Sequence, residues 1–185
     1  MTHGDEPATA PFQQAFEALV ARRIAREPLA YITGTREFWN LSIEVAPAVL
    51  IPRPETELLL EASLEHFDRG LALRILDVCT GSGCVAVGLA REFRMAAVTA
   101  SDISEDALDV ARRNVAKYGL ASRVRCIHAD LLAGLPGPFD LIVANPPYVP
   151  AGDEKTLQPE VRDFEPAGAL FAGADGLRII RRLVA

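Results

Sequence analysis

The run Asn145-Pro146-Pro147-Tyr148 holds the most readily named chemistry of this chain. Proline has no N–H and a fixed φ, so a Pro-Pro turn presents carbonyl oxygens rather than amide hydrogens. The Asn145 side-chain amide and the Tyr148 ring add to that surface. Such a turn suits an amino or amide nitrogen that donates hydrogen bonds and must be held in one orientation. A plain strand-ending turn is the simpler alternative for Asn-Pro-Pro alone. A second unit upstream argues against it: Asp77-Val78-Cys79-Thr80-Gly81-Ser82-Gly83-Cys84. Its glycines let backbone approach a ligand closely. A dinucleotide fingerprint, G-x-G-x-x-G, needs a third glycine where Ala86 stands. Alanine is sometimes accepted there, so spacing alone does not decide. Asp77 says more, because a carboxylate facing into the loop repels a pyrophosphate and pairs with an ammonium group. S-adenosylmethionine carries such a group at its methionine end.

Two more acids end apolar runs. Asp102 follows Ala97-Val98-Thr99-Ala100-Ser101 and can accept both ribose hydroxyls, as acids do in nucleotide-binding α/β folds. Asp130 follows Val124-Arg125-Cys126-Ile127-His128-Ala129; it can accept from an adenine amino group, with Leu131 covering the ring. Each acid alone could be a helix cap, and Asp102 before Ser104 and Glu105 is a plausible one. Three acids ending three successive runs are harder to read as caps only.

These residues need elements to hold them. The stretches 73–78, 97–102, 124–129 and 139–144 are short and apolar and read as strands. Helices are expected near 83–93, 104–118 and 175–184. Strand and helix alternate, which implies an α/β fold with a parallel sheet and right-handed crossovers. Ligands of such sheets sit at the carboxyl ends of strands, where both motifs fall. Upstream, 38–45 reads as a β-hairpin with Asn40 at or near its turn. Pro52 and Pro54 exclude a continuous helix before Glu55. A helix is expected over 56–67, with Leu58, Leu59, Ala62 and Leu64 on its buried side. Phe12, Phe16, Leu19, Val20 and Ile24 mark an amphipathic helix over about 11–26. It either packs on the core or is the last helix of an N-terminal substrate-recognition unit, the second being the favoured reading. The polar segment 155–163 reads as mobile.

The motif set Asp77 to Gly83, Asp102, Asp130 and Asn145 to Tyr148 resembles the class I S-adenosylmethionine-dependent methyltransferases that act on nitrogen. A second block narrows the resemblance: Glu27-Pro28-Leu29-Ala30-Tyr31-Ile32-Thr33-Gly34, Arg36-Glu37-Phe38-Trp39 and Leu50-Ile51-Pro52-Arg53-Pro54-Glu55-Thr56-Glu57. Together with Glu165-Pro166, Ala169-Leu170-Phe171 and Asp175-Gly176-Leu177, it is similar to the HemK/PrmC family of protein-(glutamine-N5) methyltransferases. The resemblance implies methylation of the GGQ glutamine of a peptide chain release factor in the cytoplasm. It implies a cofactor site of Asp77, Thr80, Gly81, Gly83, Asp102, Asp130, Leu131, Asn145 and Thr56. It implies a substrate slot of Asn145, Pro146, Pro147 and Tyr148. There the Asn145 side-chain oxygen and the Pro146 carbonyl accept the two N–H bonds of the glutamine amide, and Tyr148 lines the slot. Phe38, Arg53 and Thr56 belong by the same resemblance to a lid near the methionine end. Arg53 there has either the methionine carboxylate or Glu57 as partner.

The family pattern divides the chain into an N-terminal helical remnant over 1–27, a hairpin and lid over 28–57, and a Rossmann-like catalytic domain over 58–185. Cys79 stands where many relatives have glycine. Only a short stretch precedes Glu27, and class I methyltransferases continue through further strands beyond position 185. The sheet is therefore expected to be incomplete at its C-terminal side.

Composition bounds the alternatives. A net charge of −6 disfavours extended nonspecific nucleic-acid binding, which depends on neutralising phosphates. The Asn-Pro-Pro-Tyr turn also occurs in DNA adenine methyltransferases, but base flipping needs a basic face and stacking aromatics, and one Trp and three Tyr offer little. A non-catalytic cofactor-binding module is the second rival. No 18-residue apolar run exists, so no membrane span is expected. Three cysteines without C-x-x-C spacing and three scattered histidines predict reduced thiols and no metal site.

Overall fold

The computed structural model describes residues 9–185. Helix α1 (Ala10–Ile24) and the short helix α2 (Leu29–Thr33) precede a hairpin of β1 (Thr35–Phe38) and β2 (Leu41–Glu44). A 3-10 turn (Pro54–Glu57) leads into α3 (Leu58–His66). Then come β3 (Arg74–Val78), α4 (Cys84–Glu92), β4 (Ala97–Asp102), α5 (Glu105–Lys117), β5 (Val124–His128) and β6 (Leu141–Ala144). The chain closes with α6 (Pro159–Phe164) and α7 (Arg178–Val184).

The strands from β3 onward form one parallel sheet in the order β5-β4-β3-β6. The chain winds outward from β3 through β4 to β5, then returns to the other side of β3 as β6. The order reverses between β3 and β6, and their carboxyl ends frame the switch-point crevice typical of open α/β sheets. Register sharpens this. Val78 pairs with Ala144 and also with Ser101, so the glycine loop, the Asn145 turn and Asp102 leave their strands at neighbouring levels.

Helix α4 is buried at every position from 84 to 90, as its apolar circumference requires. It sits between the sheet and the hairpin. Phe38, Leu41, Ile43 and Val45 of the hairpin join Val85, Val87 and Leu89 of α4 in one core with Leu60 and Phe93. A smaller cluster on Leu76 and Val78 includes Leu131, with Ile179 and Leu183 of α7 against it. The hairpin turn is Trp39-Asn40, with φ of 51° and 56°. Positive φ at both positions is the type I′ geometry that matches hairpin twist, so Asn40 sits where its type belongs.

One expectation holds in part and one fails. In α3 Leu59 and Leu64 pack against the core beside the buried Leu60 and Ser63, whereas Leu58 is 61% exposed and Ala62 faces solvent. The inward face of the helix thus runs through Leu59, Leu60, Ser63 and Leu64. Residues 155–163 are largely structured: the tail of a 3-10 turn (Ala151–Thr156) and most of α6 lie there. Glu160 of α6 accepts from Arg23 at 3.0 Å and Arg26 at 2.8 Å. Of the two readings of α1, packing on this core is excluded, since the helix has no buried residue. Phe12 and Phe16 stack on one another in the open, ring centroids 6.3 Å apart.

Candidate active site

A cavity of about 460 Å³ opens at the switch point between β3 and β6. Four strand ends and two loops converge on it. Thr80, Gly81 and Ser82 come from the loop after β3, and Asp102, Ile103 and Ser104 from the end of β4. Asp130 and Leu131 follow β5, while Asn145 and Pro147 follow β6. The segment before α3 supplies Leu50, Pro52 and Thr56. Residues after α6, among them Pro166 and Gly168, and Arg178, Ile179 and Arg182 of α7 complete the wall.

The glycine loop is tied down on several sides. Thr80 N donates to Ser101 O at 2.9 Å, and Gly81 N to Asp102 Oδ2 at 2.9 Å. Asp102 Oδ1 accepts from Ser104 N at 3.0 Å. The helix cap beside it is Ser104, whose hydroxyl accepts from Ala107 N at 3.2 Å. Asp102 thus braces the loop and faces the cavity, and leaves capping to its neighbour. Cys79 and Leu131 hold φ of 58° and 55°, a left-handed backbone that costs a non-glycine residue about 1–2 kcal/mol. Both line the cavity. Strain of this kind gathers where a loop is shaped for a ligand.

Asp77 is fully buried, and it is not a lining residue of the cavity. Its Oδ2 accepts from the Thr80 hydroxyl at 2.5 Å and from Ala86 N at 3.1 Å. The expected direct pairing with an ammonium group gives way to a bracing role beneath the loop. The carboxylate is satisfied by the loop's own hydroxyl and by an amide in the first turn of α4. Burial raises its pKa to about 7, against the opposing effect of those two bonds; the nearby Asp102 adds to the rise.

At the other wall, Asn145 Nδ2 donates to Thr56 Oγ1 at 3.4 Å. That long bond leaves the Asn145 oxygen as the acceptor facing away from Thr56. Pro147 lines the cavity beside it, and Pro146 does not. Tyr148 is 60% exposed and lies outside the cavity lining, so its ring is a feature of the rim and not of the enclosed slot. The remaining lid residues also lie elsewhere. Phe38 is fully buried in the hairpin core, where its apolar ring belongs. Arg53 does not pair with Glu57: its guanidinium donates to Glu165 Oε1 at 2.6 Å. Glu165 is buried, and its Oε2 accepts from Ile51 N at 3.3 Å. Glu57 instead accepts from Trp39 N at 2.8 Å. Asp130 is engaged by Arg182, at 2.7 Å. Gly83 stands just behind the lining and starts α4.

Several lining residues escaped sequence reasoning. Ile103 is an exposed apolar residue directly after Asp102, an arrangement visible in the sequence once the acid is assigned. Arg178, Ile179 and Arg182 carry no local signal, because α7 reaches the cavity only through tertiary packing.

The inventory fits S-adenosylmethionine. Two cavity-facing acids flank apolar residues at the β4 and β5 ends, and a braced glycine loop offers close backbone approach. Compared with known proteins, residues 54–165 match the methyltransferase small domain and residues 1–34 the PrmC N-terminal domain. The chain belongs to the HemK/PrmC branch of the methyltransferase small-domain family.

Relatives of this branch match along nearly the whole chain. The release factor glutamine methyltransferase of Koribacter versatilis (strain Ellin345) is 47% identical over 184 residues, covering 98% of this chain and 65% of that protein. Its namesake from Chlorobaculum tepidum is 46% identical, covering 91% of this chain and 60% of that protein. That of Bordetella pertussis is 43% identical, covering 99% and 67%. The chain therefore spans about three fifths of the length of its first relatives. Among solved structures, the hMettl16 catalytic domain in complex with MAT2A 3′UTR hairpin 1 superposes with a TM-score of 0.62 at 20% identity, covering 84% of this chain and 58% of that one. At that identity the likeness shows the shared class I methyltransferase fold and nothing finer. Among the described residues no helix is long and apolar enough to cross a membrane, and no group of three or more potential ligands is placed to hold a metal.

Proposed function

We propose that this chain binds S-adenosylmethionine in the switch-point cavity and methylates the side-chain amide nitrogen of the GGQ glutamine in a peptide chain release factor. The observation that carries this reading is the register of Val78 with Ala144, which sets Asn145 beside the glycine loop across one cavity. The relatives' names point the same way, and the release factor is the expected cytoplasmic partner.

When bound, the cofactor supplies an electrophilic methyl group on a sulfonium. The chain's task is then orientation and electrostatics, since a carboxamide nitrogen is a poor nucleophile. Thr56 holds the Asn145 amide so that its oxygen is free to accept one N–H of the glutamine. The Pro146 carbonyl is assigned the other, although Pro146 is not itself a lining residue of the cavity. Both acceptor oxygens would stabilise the positive charge that develops on the nitrogen as the N–C bond forms and the methyl–sulfur bond breaks, the surplus N–H proton then passing to solvent. Asp102 takes the ribose hydroxyls, with Ile103 and Leu131 against the base. Thr80 and Gly81 approach the methionine end, braced from below by Asp77. Asp130 serves the adenine amino group in competition with Arg182.

The test is mass spectrometry of a release factor incubated with this chain and S-adenosylmethionine. A gain of one methyl group on the GGQ glutamine is the expected result. Methylation of an adenine-containing oligonucleotide instead, with the release factor unmodified, overturns the proposal.

A further inference from the structure

Asn114 lies on α5, outside the cavity lining and outside every motif of the cofactor site. It is fully buried. Its Oδ1 accepts from Glu44 N at 2.8 Å, and its Nδ2 donates to Glu44 O at 2.9 Å and to Ser82 O at 2.9 Å. One side-chain amide thus uses both its protons and its oxygen on backbone. The two segments it joins are the end of the hairpin and the glycine loop, 70 and 32 residues away in the chain. An apolar side chain of the same volume would remove the partner of three backbone groups, Ser82 O buried and Glu44 N and O half-buried, and each lost bond carries a desolvation cost.

The face of α5 that carries Asn114 is the floor of the loop. Ala107, Ala111 and Asn114 lie at i, i+4 and i+7, on one side of the helix. Ala107 lines the cavity. Ala111 lies directly under Gly83, where an added Cβ would stand 3.0 Å from the Ala111 Cβ and 3.2 Å from its Cα. The loop therefore rests on α5 through a glycine–alanine contact and is fastened there by Asn114. The hairpin fastened by the same amide leads into residues 48–56, which form the opposite wall and include Thr56.

We infer that Asn114 is a positioning residue for the cofactor loop: it holds the loop and the hairpin in one register and so sets the spacing of the two cavity walls. This rests on the reading of the cavity as an S-adenosylmethionine site. The test compares Asn114→Ala with Tyr118→Phe in the full chain. Tyr118 lies just past the same helix and donates to Ser42 O of the hairpin at 3.0 Å, so its loss loosens the hairpin contact without touching the loop. Two quantities are measured: S-adenosylmethionine affinity by calorimetry, and hydrogen exchange of the Gly81, Gly83 and Ala86 amides in ligand-free protein. For Asn114→Ala, affinity falls about tenfold or more, and the loop amides exchange faster relative to those of β3. Tyr118→Phe changes neither. A merely structural role predicts lower thermal stability with the loop-to-strand exchange ratio unchanged, and that result overturns the inference. Should Asn114→Ala fail to fold, Asn114→Ser, whose hydroxyl is too short to span both segments, is read in the same way. If the wild-type chain binds no S-adenosylmethionine, the cofactor reading falls, and the exchange ratio alone decides for or against Asn114.

Discussion

Two residues, one at the proposed reaction centre and one bracing the loop beneath it, each have a distinct signature. Asn145 lines the cofactor cavity, but its main assignment is to the transition state. Asn145→Ala is therefore expected to remove methyl transfer while S-adenosylmethionine affinity stays within a few-fold. Loss of one preorganised hydrogen-bonding group of this kind is worth about 3 kcal/mol in the barrier. Single-turnover rates beside calorimetric affinities check it; near-wild-type turnover sinks the assignment. Asp77 braces the loop and is titratable. Folding raises its pKa from 3.8 to about 7, so the folded state binds the proton more tightly than the unfolded one. This group's contribution to stability is then full below about pH 4 and is lost as pH rises through about 7. Asp77→Asn keeps an acceptor for Thr80 and Ala86 but has no proton to lose. Denaturation at pH 5 and pH 8 is expected to show a drop in the wild type about 2–3 kcal/mol larger than in the variant. Equal drops would mean that Asp77 titrates near its ordinary value.

Between the elements, the decisive contacts hold the exit of the Asn-Pro-Pro-Tyr turn. Val149 N donates to Leu170 O at 2.8 Å, Ala172 N to Val149 O at 2.9 Å, and Ala151 N to Gly173 O at 2.9 Å. These bonds strap that exit to the segment before α7. Gly176 completes the strap, at φ of 74°; a Cβ there would meet the Tyr148 carbonyl oxygen at 2.2 Å. Glycine is required at this position on both counts, backbone and space. Gly176→Ala is expected to push the turn away from the cavity, lowering Tm by several degrees and turnover by more than about tenfold. Cofactor affinity should fall less than turnover, because the displaced turn contributes only Asn145 and Pro147 to the lining. Melting curves, turnover and calorimetry on the one variant check the three parts; unchanged turnover would show that the turn tolerates the displacement.

On the scale of the whole molecule, α1 stands apart. It is joined to the rest by α2 and by the ion pairs of Arg23 and Arg26 with Glu160, and its apolar residues are exposed. Surface ion pairs of this type contribute little to stability. Replacing Phe12 and Phe16 together by serine is expected to change the unfolding free energy of the core by no more than a surface substitution does, about 0.5 kcal/mol. A large loss of stability in urea would show that the helix is integral to the core.

Strand–helix alternation made the α/β class legible in the sequence, as did the turn chemistry at strand ends. Local patterns suffice there: an apolar run sets a buried strand, and the glycine loop and Pro-Pro turn must come directly after it at its carboxyl end. Thr80, Gly81, Asp102, Asp130, Leu131, Asn145, Pro147 and Thr56 were named on that basis or by resemblance, and all face one cavity. Only the tertiary structure decided what each charged group is paired with. Arg53 with Glu165 and Asp130 with Arg182 join residues 112 and 52 positions apart, which no periodicity encodes. The same holds for Asp77, whose burial under the loop depends on how α4 docks, and for Phe38, whose hairpin carries it into the core. It holds most fully for Asn114, an ordinary polar residue in an amphipathic helix until the fold brings two distant backbones to its amide. Strand and turn propensities act over a few residues, whereas the partners of a buried polar group are set by packing across the whole chain.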